Sequence, residues 1–357
     1  MDLHRLGLTP FFQDAFEKLN QPSLQPARII REDKGAFTVA TAEGMTRAIL
    51  RGRLRRLPPQ EQPATGDWVA VLPLSGEDKV VIEAVLPRRT VFMRKRAGEV
   101  TEAQVVAANV DTVLLVMGLD EDFNVRRLER YLALARDSGA TPVVVLNKLD
   151  VAPALDSQLS AVGDVVGNTP VVALSAAFGI GLDGLAPYLT AGNTLALLGS
   201  SGVGKSTIIN ALLGEARLDT KAVRASDGRG QHTTTFRDMV LLPGGGAVMD
   251  TPGMRELQLW GDEATVDGSF PDVMALVAAC RFVDCRHGSE PGCAVRQALE
   301  SGALDADRLA SWRRLHDEVV QLGLRLEERH ARQRVEDKRI GKLRKELVLK
   351  PSKRRWE

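Results

Sequence analysis

A glycine-rich octapeptide, GSSGVGKS at residues 199–206, constrains the fold of this chain more than any other segment. An apolar run, TLALL, precedes it, and a helical pattern, KSTIINALL, follows. Glycines at these positions let backbone N–H groups surround phosphate oxygens at the start of a helix. Such a loop sits at the end of a buried parallel strand. The sequence therefore predicts a doubly wound α/β domain with a phosphate-binding loop.

The residues of this loop have separate expected roles. Lys205 would reach the β- and γ-phosphates and take part in catalysis, and Ser206 would ligate Mg²⁺. A plain glycine-rich turn is the alternative, and the strand and helix on either side argue against it. The predicted nucleotide-contacting residues of the loop are Gly199, Ser200, Ser201, Gly202, Val203, Gly204, Lys205, Ser206 and Thr207.

Two later segments complete the predicted phosphate site. The run GGAVMD ends at Asp250, which would hold Mg²⁺ through water, and Gly253 would offer its N–H to the γ-phosphate. Before them, the polar segment DGRGQHTTTFRD contains three consecutive threonines. We favour Thr234 as a second Mg²⁺ ligand, with Thr233 and Thr235 as alternatives.

An earlier segment, TPVVVLNKLD at residues 141–150, predicts that the base is guanine. The Asp150 carboxylate can accept both guanine N1–H and N2–H, a donor pair that adenine lacks. Asn147 would meet the N7/O6 edge of guanine, and the aliphatic stem of Lys148 would lie on the ring. The run VVALSA follows after a helix, and its Ser175 and Ala176 could offer backbone N–H groups to guanine O6.

These segments occur in a rotated order: base elements, phosphate loop, threonine loop, then the Asp-x-x-Gly segment. Because all of them lie at the carboxyl edge of one parallel sheet, joining the chain at a different point leaves the site intact. The sequence therefore predicts a circularly permuted guanine-nucleotide domain at residues 99–262. Its last loop leads directly into the C-terminal segment, so γ-phosphate binding can be transmitted to that segment.

Residues 25–98 have a different pattern. Short β-rich runs separated by Gly, Pro and acidic turns predict a small OB-like barrel, preceded by an N-terminal extension at residues 1–24. Basic residues cluster in LRGRLRRL at residues 50–57 and in RKR at residues 94–96. They indicate either an RNA-facing patch or a solvated charged surface, and the sequence leaves both open.

A cysteine-containing segment follows the nucleotide domain, in a mostly helical region at residues 263–333. All three cysteines of the chain fall there, in the pattern Cys-x4-Cys-x-His-x5-Cys. Three thiolates and one imidazole form the closed ligand set of a structural zinc ion. Buried thiols in a helical core are the alternative. The predicted zinc ligands are Cys280, Cys285, His287 and Cys293.

Hydropathy argues against a membrane or secreted protein, and the distribution of charge indicates the kind of partner. No stretch approaches the length of a membrane span and the first residues lack a signal-peptide pattern, so we expect a cytoplasmic protein with no membrane partner. The net charge is +1, yet residues 308–357 carry 16 Lys and Arg against 8 Asp and Glu. A basic C-terminal tail, placed at residues 334–357, indicates a polyanionic partner.

The OB-like barrel, the permuted motifs GSSGVGKS, GRGQHTTT and DTPGMRE, and the cysteine-histidine pattern together resemble the ribosome small subunit-dependent GTPase A (RsgA) family over about residues 25–330. The resemblance implies a GTPase that acts in late maturation of the small ribosomal subunit, with the barrel and the zinc segment on ribosomal RNA. The expected ligands are GTP or GDP, Mg²⁺ and one Zn²⁺ per chain, and we expect a monomer.

The residue after Asp-x-x-Gly is Met254, where many GTPases place a water-orienting Gln. Slow intrinsic hydrolysis is therefore expected, and the resemblance supports a catalytic role for His232 once a partner orders its loop. A loop histidine without function is the alternative. Two other functions remain open: a nucleotide-gated binding module whose hydrolysis only resets it, and an ATP-driven remodeller or kinase, which the guanine motif argues against.

Overall fold

The computed structural model describes residues 1–33, 35–74, 76–95, 103–215, 237–250, 257 and 259–348. Five short strands form the N-terminal barrel: β1 (Gln25–Asp33), β2 (Ala36–Ala40), β3 (Met45–Leu50), β4 (Trp68–Pro73) and β5 (Lys79–Val85). The strands are ordered β1-β2-β3-β5-β4, and β4 pairs back with β1, which closes the barrel. Ala27, Ile29, Val69 and Val71 alternate into its interior and are fully buried. The closed barrel confirms the OB-like prediction.

The residues before the barrel pack against it. A 3-10 turn at His4–Leu6 is followed by helix α1 (Pro10–Glu17). Phe12 of α1 lies on Trp68, with the ring centroids 5.8 Å apart. The buried guanidinium of Arg28 donates to the carbonyl oxygen of Leu6 and, at 2.9 Å, to that of Asn109. Arg28 therefore joins the N-terminal segment and the barrel to the chain that enters the nucleotide domain.

After the barrel, a two-stranded antiparallel ribbon leads into a doubly wound α/β domain, and this arrangement confirms the α/β prediction. The elements in chain order are β6 (Val91–Lys95), β7 (Ala103–Ala108), β8 (Thr112–Gly118), α2 (Val125–Ser138), β9 (Thr141–Asn147), α3 (Leu155–Val166), β10 (Val171–Ala173), β11 (Thr194–Leu198), α4 (Lys205–Leu213), β12 (Arg237–Leu241) and β13 (Ala247–Asp250).

The sheet of this domain has the order β10-β9-β8-β11-β13-β12, and its strands are parallel except β12. β8 is buried along its whole length, as expected for a strand covered on both faces. Strand β12 runs antiparallel because only a short turn joins it to β13. β12 also pairs with β1 of the barrel, where Arg31 lies opposite Asp238. The barrel and the nucleotide domain therefore share one continuous sheet of 11 strands.

The C-terminal part of the described chain is helical, as predicted. It contains α5 (Glu263–Asp267), α6 (Pro271–Ala278), α7 (Ala294–Ser301) and α8 (Ala306–Val348). Helix α8 is 43 residues long and runs through the proposed boundary at residue 334, so the described part of the basic tail continues a helix. In the part of the chain that the structure describes, no helix combines the length and apolar character needed to cross a membrane.

Candidate functional site

The predicted base residues and the phosphate loop meet at the carboxyl edge of the parallel strands. Gly118 at the end of β8 lies opposite Asn147 at the end of β9, and Leu198 at the end of β11 lies opposite Leu115 of β8. Parallel strands end at the same edge of a sheet, which is where ligands bind in such folds. The rotated order of these two segments therefore still places them side by side.

The phosphate loop joins β11 to the start of α4. Gly204 has φ +97°, and a Cβ there would lie 2.2 Å from Nδ2 of Asn147. A Cβ on Gly199 would lie 2.4 Å from the carbonyl oxygen of Val116. Both positions require glycine, because any side chain would push the loop away from the strands behind it. The backbone N–H groups at the start of α4 are thereby available to an anion.

Lys205 lies across this loop. Its ammonium donates to the carbonyl oxygens of Gly199 at 2.8 Å and Ser200 at 2.5 Å. A phosphate in the loop would provide a stronger, charge-assisted acceptor for the same ammonium. Ser206 and Thr207 follow in the first turn of α4 and are half-buried. The roles of Lys205, Ser206 and Thr207 towards phosphate and Mg²⁺ stay predictions.

Asn147 connects the base segment to the phosphate loop. Its side chain is buried, Nδ2 donates to the carbonyl oxygen of Val203 at 2.9 Å, and Oδ1 accepts from the Ala176 N–H at 3.0 Å. An amide has two N–H donors and an oxygen with two lone pairs, and these two hydrogen bonds use one of each. The contact of Asn147 with the N7/O6 edge of the base stays a prediction from the sequence.

Asp150 and Ser175 are also brought together. The buried Ser175 hydroxyl donates to a carboxylate oxygen of Asp150, which is otherwise exposed at the edge of the sheet. The Ser175 N–H donates to the Ile180 carbonyl at 2.9 Å and closes a tight loop, and its contact with guanine O6 stays a prediction. Asp150 is therefore held in place while its carboxylate stays accessible to a base.

The four predicted metal ligands converge. Sγ of Cys280 lies 3.9 Å from Sγ of Cys293 and 3.6 Å from Nδ1 of His287, and Cys293 Sγ lies 3.7 Å from the same nitrogen. The ligand atoms of these residues and Cys285 all lie within 4.8 Å of one another. A tetrahedral ion with Zn–S bonds of ~2.3 Å and Zn–N bonds of ~2.0 Å separates its ligands by ~3.6–3.8 Å. The spacing thus fits a zinc ion.

The thiols of this cluster affect one another's protonation, and repulsion between their thiolate forms favours a bound cation. A backbone hydrogen bond from His287 lowers the pKa of the Cys285 thiol, but burial and the neighbouring Cys293 and Cys280 thiols raise it more, to about 11. Crowded thiolates repel one another, and a divalent cation removes this repulsion. Helix α8 supports the cluster from outside, since Arg313 donates to the His287 carbonyl at 3.1 Å.

The basic segment of the barrel is partly neutralised. Arg51 and Arg53 both pair with Glu83, at 2.6 Å and 3.8 Å. Of the four arginines in this stretch, Arg55 and Arg56 are exposed and do not pair with Glu83.

A family model described as RsgA GTPase matches residues 85–260. A protein of Opitutus terrae named small ribosomal subunit biogenesis GTPase RsgA is 49% identical over 342 residues, which cover 92% of each chain. A protein of Syntrophotalea carbinolica with the same name is 44% identical over 336 residues, again covering 92% of each chain. The chain belongs to the RsgA GTPase family.

Two solved structures agree with this assignment. YjeQ from Thermotoga maritima matches with a TM-score of 0.61 and 27% identity, over 83% of this chain and 99% of the other. A structure described as YloQ, a circularly permuted GTPase, matches in fold with a TM-score of 0.57 and 22% identity, over 84% of this chain and 96% of the other. As an RsgA GTPase, the chain is a GTP hydrolase of permuted order, and its family implies GTP, GDP and Mg²⁺ as ligands.

Several predicted residues of the RsgA site lie outside the described part of the chain. These are His232, Thr234, Gly253 and the Met254 that follows it. Asp250 ends β13, next to β11 in the sheet, but its side chain is outside the described part. Their roles remain predictions from the sequence.

Sequence reasoning missed two acidic residues of the RsgA site. Asp120 accepts from the Lys148 ammonium at 2.6 Å, and Asp122 accepts from the Ser200 hydroxyl at 2.6 Å. Burial would raise the pKa of the Asp120 carboxyl, but hydrogen bonds from Lys148 and from the Asp122 N–H outweigh this and hold it below its ordinary value. The available signal was the segment LDEDFN, residues 119–124, which directly follows a buried strand.

Proposed function

We propose that this chain hydrolyses GTP to GDP and phosphate during late maturation of the small ribosomal subunit, and that the subunit stimulates the reaction. One observation carries the proposal. Asn147 lies in the segment TPVVVLNKLD, which is predicted to bind the base. Its side chain is hydrogen-bonded to Val203 of the phosphate loop and to Ala176 of the segment VVALSA. A single buried amide thus holds together the loops of a guanine-nucleotide site, in a chain whose relatives are named small ribosomal subunit biogenesis GTPases.

The chain's own residues supply binding and orientation. Asp150, held by Ser175, would accept the guanine N1–H and N2–H groups, and Lys205 would contact the β- and γ-phosphates. Ser206 and Thr234 would hold Mg²⁺, which neutralises charge that develops on the phosphate oxygens. Asp250 would position this ion through water, and Gly253 would meet the γ-phosphate.

Hydrolysis would depend on a partner. Met254 stands where a Gln would orient the attacking water, so the isolated protein should turn over slowly. We assign the missing role to His232, brought to the water when the subunit orders its loop. Because the Asp-x-x-Gly segment leads directly into the zinc-bearing helices, GTP would favour the subunit-bound form and GDP would favour release.

The remaining parts would bind ribosomal RNA. The barrel offers the exposed Arg55 and Arg56, and the basic end of α8 would add salt-dependent affinity by releasing counterions. The segment between them would hold one structural Zn²⁺ on Cys280, Cys285, His287 and Cys293, whose ligand atoms cluster. A protein with this partner would act in the cytoplasm, and we propose that it acts as a monomer.

Single-turnover hydrolysis of radiolabelled GTP tests the proposal. Small subunits should accelerate the wild-type protein, and large subunits serve as the control partner. His232→Ala should lose most of the acceleration, about 100-fold, because a positioned acid or base contributes on that order. His330→Ala, a histidine of α8, is the matched control and should behave as wild type.

Each outcome has a defined meaning. Equal acceleration of wild type and His232→Ala would remove His232 from the mechanism while leaving a subunit-stimulated GTPase. No acceleration of any variant by small subunits would contradict the proposal and favour the nucleotide-gated binding module instead.

A further inference from the structure

The loop between β8 and α2, residues 119–124, contacts both halves of the nucleotide site. β8 lies between β9, which carries the base segment, and β11, which carries the phosphate loop. Its loop therefore emerges between the two. Leu119 is anchored there, because its N–H donates to the Asn147 carbonyl at 2.8 Å and its carbonyl accepts from the buried Gln158 side chain at 3.0 Å.

On the base side, Asp120 controls the position of Lys148. The ammonium of Lys148 is 2.6 Å from Asp120 Oδ2, and both side chains are only partly exposed, at 26% and 30%. Lys148 has φ +67°, an uncommon conformation for a side-chain-bearing residue. Asp120 is itself braced, because its Oδ1 accepts from the Asp122 N–H at 3.2 Å.

On the phosphate side, Asp122 holds Ser200. The Ser200 hydroxyl lies 2.6 Å from each oxygen of the Asp122 carboxylate, and Arg127 of α2 pairs with that carboxylate at 2.5 Å. The Arg127 charge offsets the Asp122 charge near the phosphates. Ser200 is the second residue of the loop, and its carbonyl accepts from Lys205 at 2.5 Å.

We propose that Asp120 and Asp122 are positioning residues for nucleotide binding. Asp120 holds the ammonium of Lys148 so that the aliphatic stem is already in place for the guanine ring. Asp122 fixes Ser200 so that the phosphate loop keeps its shape before the nucleotide arrives. Fixing groups in their bound geometry reduces the ordering cost of binding. The inference rests on the proposed guanine-nucleotide site and adds a third loop to it.

Equilibrium titration with a fluorescent GDP tests the base-side half. Asp120→Ala should weaken GDP binding about ten-fold, the size expected for losing a hydrogen bond to a charged group. Asp120→Asn should recover part of the loss, because its amide oxygen still accepts from Lys148. The matched control is Glu121→Ala, which removes the same charge from an exposed position between the two aspartates and should leave affinity unchanged.

A double-mutant cycle distinguishes an effect of Asp120 through Lys148 from a general effect of Asp120 on the stability of the fold. If Asp120 acts through Lys148, the double variant Asp120→Ala with Lys148→Ala should bind GDP no more weakly than Lys148→Ala alone. Losses that multiply would overturn the inference for Asp120. So would an Asp120→Ala variant that binds like Glu121→Ala.

A second cycle tests the phosphate side. Asp122→Ala and Ser200→Ala should each weaken GDP binding several-fold, and the double variant should be no weaker than the poorer single variant. Tighter binding by Asp122→Ala would mean that its charge only opposes the phosphates, and would overturn this half. A wild-type protein that binds no guanine nucleotide would instead contradict the proposed function, so the two failures are distinguishable.

Discussion

Asp150 is the residue whose role in base selection can be isolated most directly. The Ser175 hydroxyl donates to one of its carboxylate oxygens, while the group as a whole remains exposed at the carboxyl edge of the sheet. A held but accessible carboxylate can accept two N–H donors from a base. It disfavours a base that presents acceptors at this position, because neither the carboxylate nor the base acceptor then has a hydrogen-bond donor.

Asp150→Asn should therefore weaken GTP binding at least about ten-fold and improve binding of xanthosine triphosphate, whose 2-oxo group accepts from the new amide. Competition titrations with both nucleotides measure the switch. Asp156→Asn, an exposed acidic position in the first turn of α3, controls for the loss of charge. Unchanged GTP affinity in Asp150→Asn would show that the base site lies elsewhere.

At this scale the sequence identifies residue types better than it assigns their partners. Asn147, Ser175 and Ala176 belong to recognisable motifs, but their hydrogen bonds depend on which loops face each other. The Asn147 partners are 56 and 29 residues away along the chain, and no local pattern encodes those pairings. Asp120 was missed for the same reason, since its contact with Lys148 spans 28 residues.

Among the elements, the short connection between α6 and α7 contains the cysteine-histidine cluster. Cys280 lies two residues after the end of α6, and Cys293 caps α7 by accepting from the Arg296 N–H at 3.4 Å. The segment between them contains little regular structure. A metal ion that joins both helix ends would replace the hydrophobic core that so short a segment lacks.

We expect one zinc per chain, measured by elemental analysis. Cys293→Ser should lower the zinc content sharply while keeping the helix cap, because a serine hydroxyl caps well but ligates zinc poorly. Since zinc must displace the thiol protons, its affinity should fall as the pH is lowered. Ser289→Ala in the same segment is the control. Full stability of the metal-free protein in chelator would support the buried-thiol alternative.

The length of helix α8 and the pairing of strand β12 were not predicted from the sequence. The basic residues after 334 indicated a tail, yet the helix continues to Val348 because the stretch lacks proline and is rich in helix-favouring Lys, Arg, Glu and Leu. The pairing of β12 with β1 joins residues about 200 positions apart, as in Arg31 with Asp238. Local periodicity predicts strands, but it carries no information about such distant partners.

In the whole molecule, helix α2 is where the nucleotide domain meets the C-terminal helices. Arg308 of α8 donates to Glu129 of α2 at 2.8 Å and to Asp272 of α6 at 2.7 Å. The guanidinium also lies 4.3 Å from the ring centre of Phe270. Because α2 begins directly after the loop that holds Lys148 and Ser200, α2 links the C-terminal helices to the predicted nucleotide site.

The Arg308 pair with Glu129 is buried, with side-chain exposures of 6% and 1%. Arg308→Leu should lower the free energy of unfolding by about 1.5–3 kcal/mol, because the buried Glu129 carboxylate loses one of its two arginine partners and keeps only Arg126. Urea unfolding followed by circular dichroism measures the loss. Arg325→Leu, an exposed arginine of the same helix, should change stability by less than about 0.5 kcal/mol. Adding Glu129→Leu to Arg308→Leu should restore part of the stability, since the buried carboxylate is then absent as well. Equal midpoints for Arg308→Leu and Arg325→Leu would show that the buried pair does not hold the C-terminal helices on α2.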